Sequence, residues 1–136
     1  MWNILIVDDN LENRELLAEV LRDIAHCDLA SSGHEAIKKY DESLKTKKYH
    51  VILLDIMMPE IDGLEILRII RKNERTNGIE LGDGVPVIMV TAHKRPFLDA
   101  FYQGCTDYIL KPVDPLKLIK KIEEKVGSPN PSSPTP

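Results

Sequence analysis

Asp55 stands in the stretch VILLDIMMPEIDG, with four apolar residues before it and three after it ahead of Pro59. A carboxylate buried in such a run is costly unless something pairs with it. Asp55 therefore either ends its strand at solvent or meets a charged partner there. Four more residues of similar promise recur along the chain. Asp8 and Asp9 close WNILIVDD, Thr91 closes VIMVT, and Lys111 directly follows TDYIL. Brought together, they would make a pocket of three carboxylates, one hydroxyl and one ammonium. Two like charges ~4 Å apart repel by about 4 kcal/mol at an effective dielectric near 20, so such a pocket draws in a cation or raises its pKa values. The available ligands are oxygens, which favours a hard ion such as Mg2+ over zinc. A metal, an ammonium and a hydroxyl around one carboxylate form a receptor for a phosphoryl group carried on that carboxylate.

The elements that must position these residues follow from periodicity. WNILIVDD reads as a buried strand, and NLENRELLAEVLRDI as a helix capped by Asn10, with Leu16, Leu17, Val20, Leu21 and Ile24 turned inward. CDLASS reads as a second strand, and HEAIKKYDESLKTKK as a helix with Ala36, Ile37, Tyr40 and Leu44 inward. HVILLD is a third strand, and its continuous apolar run predicts burial on both faces. GLEILRIIRKNE is a helix burying Leu64, Leu67 and either Ile69 or Ile70. VPVIMV, the helix KRPFLDAFYQG, the strand TDYIL and the helix DPLKLIKKIEEKV complete the alternation, with Asp114 as cap and Pro115 at the first helical position of the last. Strand and helix alternate five times, which predicts a parallel α/β sheet with helices on both faces. Ligands of such sheets bind beyond the carboxyl ends of the strands, where the three acids, Thr91 and Lys111 all fall.

The bulk numbers suit one globular domain: 136 residues, 43% hydrophobic and 29% charged. A net charge of −4 and a pI near 5.6 give no nucleic-acid footprint. Cys27 and Cys105 lack metal-ligand spacing and read as small core residues of a reduced, cytoplasmic protein. No signal peptide is visible, and no apolar run approaches the roughly 20 residues that span a bilayer, so no membrane partner is expected. His26, His34 and His50 read as structural or exposed, and Lys117, Lys120, Lys121 and Lys125 as a solvated helix face. Arg75 to Gly84 reads as a polar surface insertion. GSPNPSSPTP carries four of the nine prolines and reads as a loose tail or the start of a linker. The expected division is a domain over 1–126 and a Pro/Ser-rich tail over 127–136.

The stretches ILIVDDN, VILLDIMMPEIDGLE, VIMVTAH and GCTDYILKP, in that order, resemble the response-regulator receiver domain of two-component signalling over about residues 3 to 126. The resemblance implies a flavodoxin-like, three-layer doubly wound fold, with strand order 2-1-3-4-5 and five helices. It makes Asp55 the phosphoacceptor for a sensor histidine kinase or phosphotransfer protein. Asp9 and Asp55, with the carbonyl of Met57, would bind Mg2+, and Asp8 would act through bound water. Lys111 would meet the phosphoryl oxygens ahead of a cis Pro112, and Thr91 would swing its hydroxyl onto the phosphate. Tyr108 would be the switch aromatic, turning inward to reshape the face of the fourth helix, fifth strand and fifth helix. That face would serve a downstream target or a homodimer.

Met57 and His93 hold the positions that tune phosphate lifetime, with an intermediate-to-long lifetime expected. No dedicated enzymatic activity is implied beyond self-catalysed acceptance and slow loss of phosphate. The competing readings are a phosphate-independent binding module, a Mg2+-dependent phosphohydrolase and an FMN carrier. A hydrolase would need an acid where Met57 stands, and the acidic turn DDNLEN lacks a phosphate-cradling loop. The same residues would also suit a receiver cut from a larger hybrid kinase or output-domain protein.

Overall fold

The computed structural model describes residues 1–56, 58, 62–80, 82–92 and 104–129. Five parallel strands form one sheet: β1 (Trp2–Val7), β2 (Ala25–Ala30), β3 (Val51–Asp55), β4 (Val87–Thr91) and β5 (Asp107–Leu110), in the order β2-β1-β3-β4-β5. Among the described residues four helices connect or follow them: α1 (Leu11–Leu21), α2 (Gly33–Ser43), α3 (Gly63–Thr76) and α4 (Pro115–Val126). The helix expected over KRPFLDAFYQG lies outside the described residues except for its last position, Gly104. Hence α4 is the helix expected as fifth.

Side chains alternate along each strand and so divide the core into two layers. Leu5, Val7, Ile52, Leu54, Val87 and Met89 pack with Ala36, Tyr40, Ile66, Leu67 and Ile70 of α2 and α3. Ile4, Ile6, Val51, Leu53, Ile88, Val90 and Ile109 pack on the other face with Leu17, Leu21, Leu118 and Ile122 of α1 and α4. Helix starts follow local chemistry. Asn10, Ser32, Asp62 and Asp114 each accept a backbone N–H of the following turn, and Pro115 opens α4 where no donor is needed.

Several sequence expectations change in detail. The second strand begins at Ala25, two residues before CDLASS, because β1 sets its register from Trp2↔Ala25 to Val7↔Ala30. It is an edge strand with His26 and Asp28 exposed, so its apolar pattern does not mark its start. Leu16 is 62% exposed rather than inward, because the buried stripe of α1 centres on Leu17 and Leu21 and Leu16 lies about 100° off it. In α3 the buried set is Ile66, Leu67 and Ile70, with Leu64 and Ile69 partly covered. Arg75 and Thr76 belong to α3, so the connection to β4 is shorter than the sequence suggests.

At the amino end of the sheet, Glu74 is buried and its carboxylate accepts three hydrogen bonds. They come from Tyr40 Oη at 2.6 Å, Arg71 Nη1 at 2.7 Å and the Val85 N–H at 2.7 Å. Arg71 Nε also donates to the Gly104 carbonyl at 2.9 Å. The Glu74 carboxylate thus ties α2, α3 and the loop before β4, and Arg71 extends the tie to the entry of β5. A Cβ at Gly84 would overlap the Glu74 carboxylate and force it to shift from these partners.

Tyr40→Phe should lower stability by about 1.5–3 kcal/mol, as for a lost hydrogen bond to a buried charge, measured by urea denaturation with an unchanged slope. The thiols give a pH test. Burial, and secondarily Asp28 and Asp107, push Cys27 and Cys105 up to about 11. The folded state therefore keeps protons that the unfolded thiols release near about 8.5. Their stabilisation is complete below that pH and lost as pH rises towards about 11. Alkylation at pH 8 should be slow in the folded protein and fast in denaturant.

Candidate phosphoacceptor and metal site

The sheet register brings the sequence-predicted residues to one edge. Val7 pairs with Leu54, so Asp8 follows β1 next to Asp55 at the end of β3. Thr91 ends β4, and its carbonyl accepts the Lys111 N–H at 2.7 Å, which sets the residue after β5 at the same level. Alternation along the strands puts Asp8, Asp55 and Lys111 on the face covered by α1 and α4. Thr91 falls on the opposite face, in phase with Val87 and Met89, where Tyr108 also packs.

Asp8 and Asp55 are buried, and Asp9 is exposed at the mouth. Each of the three offers one carboxylate oxygen, and these oxygens lie within 4.8 Å of one another. Lys111 Nζ bridges two of the acids, 3.2 Å from Asp8 Oδ2 and 3.3 Å from Asp55 Oδ2. The β1–α1 turn fixes Asp8 further. Its Oδ1 accepts the Asn10 N–H at 2.9 Å, and its carbonyl accepts Arg14 Nη1 at 2.7 Å. At Gly63 the backbone of α3 passes so close to β3 that a Cβ would overlap the Asp55 carbonyl oxygen. The Lys111–Pro112 peptide is cis. Met57 and His93 lie outside the described residues.

Burial pulls the Lys111 ammonium down, but Asp55 and Asp8 outweigh it and hold its pKa above the usual lysine value. Its charge therefore persists throughout the neutral range. Among these groups three carboxylates face one ammonium, leaving an excess of negative charge at an all-oxygen donor set. That set fits a divalent magnesium-like ion.

Sequence reasoning missed Leu16 as a site feature. With Asp8, Asn13, Lys111, Pro112 and Val113 it lines a cavity of about 400 Å³ that opens beside the acids. Exposed Leu11 and Leu116 lie in the first turns of the two helices that follow site residues. A run of leucines in one helix gives no sign of which of them faces away from the core.

A family model described as the response regulator receiver domain matches residues 4–123. The chain is 34% identical to response regulator mcs4 of Schizosaccharomyces pombe, over 90% of the chain and 27% of that protein. It is 37% identical to the transcriptional regulatory protein ResD of Bacillus subtilis, over 88% of the chain and 46% of that protein. The chain thus spans half or less of either relative. A solved chain superposes with a TM-score of 0.80 at 32% identity, covering 92% of this chain and 88% of that one. It belongs to the co-crystal of the Saccharomyces cerevisiae phosphotransfer protein Ypd1 with the receiver domain of its downstream response regulator Ssk1.

Lys111→Met should destabilise the metal-free protein at pH 7 by about 1–3 kcal/mol. That is less than for a fully buried pair, because the lysine side chain keeps 26% of its exposure. Added Mg2+ should recover part of the loss, since it binds the folded acids. In the wild type the lysine's raised pKa keeps its contribution intact below the ordinary lysine range, about 10.4, and loses it as pH rises through the folded value. Thermal melts with and without Mg2+ measure both effects.

Proposed function

The chain belongs to the response regulator receiver domain family, and on that premise we propose that it is a phosphorylation-dependent signalling switch whose acceptor is Asp55. The observation that carries this reading is the Lys111 ammonium bridging Asp8 and Asp55 inside a cluster of three carboxylates. An Asp55 carboxylate oxygen attacks phosphorus of a partner's phosphohistidine. The new bond is O–P and the bond broken is N–P, with the electron pair returning to the imidazole nitrogen. Lys111, already 3.3 Å from Asp55 Oδ2, meets a phosphoryl oxygen as charge moves onto the group. Asp8, Asp9 and Asp55, with the Met57 carbonyl, are the residues that would hold Mg2+. When bound, the ion supplies positive charge against the phosphoryl oxygens.

The readout begins at Thr91, whose hydroxyl turns to the phosphoryl group. Tyr108, on the same face of the sheet, follows it inward. Phosphorylation thereby biases a two-state surface along β5 and α4, available to a downstream protein or to a second copy of the chain. Met57 and His93 tune how long the phosphate persists, and the apolar Met57 favours an intermediate-to-long lifetime. The chain catalyses only its own phosphorylation, from the phosphodonor, and its own slow dephosphorylation.

The upstream partner is a sensor histidine kinase or phosphotransfer protein. The cavity lined by Leu16, Pro112 and Val113 beside Asp8 and Lys111 suits an apolar patch next to the phosphohistidine. Residues 1–126 form the receiver unit, and 127–136 a tail or linker. Among the described residues no helix is long and apolar enough to cross a membrane, which accords with a cytoplasmic signalling role.

Incubation with Mg2+ and acetyl phosphate should add one labile phosphate by mass spectrometry in the wild type and none in Asp55→Ala. The label should outlast minutes without a phosphatase. No addition to the wild type, together with no Mg2+-dependent change in its NMR spectrum, would sink the switch and leave a phosphate-independent binding module.

A further inference from the structure

Asp107 opens β5 at the outer edge of the sheet and gathers two lysines of α4. Lys121 Nζ donates to both carboxylate oxygens, at 3.2 and 3.1 Å, and Lys125 Nζ stands 3.8 Å from Oδ2. Asp107 Oδ1 also accepts the N–H of Tyr108 at 2.8 Å. The same Lys121 ammonium lies 5.8 Å from the centroid of the Tyr108 ring, within cation–π range. The sequence alone suggests a plain solvated face for these lysines, yet the side chains of Lys121 and Asp107 are 31% and 19% exposed.

Topology limits how this contact can form. Lys121 springs from α4, on the face that Ile109 fills, while Tyr108 packs with the core under α2 and α3. The ammonium therefore reaches the ring around the outer edge of β5, and Asp107 fixes it there. A ring that turns inward from this edge leaves the ammonium behind.

We propose that Lys121, oriented by Asp107, is a resting-state clamp that holds the Tyr108 ring at the sheet edge and sets the threshold for the switch. The clamp rests on the reading of Tyr108 as the switch aromatic. A contact made in one state alone shifts the equilibrium by its own free energy. For a partly exposed cation–π pair that corresponds to about a two- to fivefold change in population. Lys121 is thus a positioning residue for Tyr108 and touches neither acceptor nor phosphate.

The test is NMR of the tyrosine rings, with Tyr108 assigned through Tyr108→Phe, during titration with beryllofluoride at saturating Mg2+. In Lys121→Gln the ring signals without beryllofluoride should move towards the bound position, and the midpoint should fall about two- to fivefold. Lys121→Arg, which keeps a cation that can sit over the ring, should behave as wild type. Lys125→Gln should too, since it removes a charge near Asp107 without touching the clamp. Wild-type behaviour of Lys121→Gln would overturn the clamp, as would an equal shift in Lys125→Gln, which would mark a general charge effect. A wild-type ring that ignores beryllofluoride while Asp55 is occupied would instead remove Tyr108 from the switch.

Discussion

The chain places three carboxylates at the carboxyl edge of one sheet, and the Lys111 ammonium stands between two of them, Asp8 and Asp55. Parallel strands leave little freedom here. Once Val7 pairs with Leu54, the next residue of β1 must lie beside the last residue of β3, and both are acids. At an effective dielectric near 20, each close like-charged pair costs about 4 kcal/mol. Lys111 offsets part of that by standing between Asp8 and Asp55, and its own reach depends on the hydrogen bond from its N–H to the Thr91 carbonyl. Four strands must therefore be in register for one ammonium to arrive.

A second buried carboxylate shows what a satisfied site looks like. Glu74 accepts a tyrosine hydroxyl, a guanidinium and a backbone N–H, and nothing about it calls for a further cation. It closes the amino end of the sheet and binds α2, α3 and the loop before β4 into one body. The acid cluster at the other end is built differently: Lys111 bridges Asp8 and Asp55, and the third acid, Asp9, is open to solvent. Three clustered carboxylates with an exposed acid at the mouth suit the binding of a metal that comes and goes.

The site was legible in the sequence because strand ends and charge coincide there. Asp8, Asp9, Asp55, Thr91 and Lys111 each end or follow an apolar run, and such runs are the strongest signal a buried parallel sheet gives. Asn10 and Asp114 were readable as caps for the same local reason. What could not be read depends on contacts between distant segments. The register of β2 comes from β1, and the outward turn of Leu16 comes from where the stripe of α1 is centred. The Glu74 hub reaches Tyr40 and Val85, which no spacing rule connects to it, whereas Arg71 is its i,i+3 neighbour on α3. The pairing of Lys121 and Lys125 with Asp107 likewise needs α4 docked on β5 before it exists.

These long-range contacts bear on how a phosphoryl group could be felt away from Asp55. Thr91 and Tyr108 lie on one face of β4 and β5, opposite the face of the acids and Lys111. A change at the acids must therefore pass through the sheet edge, and Thr91 is where the two faces meet, with its carbonyl bound to Lys111 and its side chain on the far side. Tyr108 sits between that residue and the lysine-bound Asp107 at the outer rim. Its ring packs against the core under the sheet while the Lys121 ammonium stands 5.8 Å from the ring centroid. A contact worth about 0.5–1 kcal/mol cannot lock a residue in one position, but on the proposed reading of Tyr108 as the switch aromatic it can bias a near-balanced one. A switch that a single phosphoryl group can throw requires that near-balance.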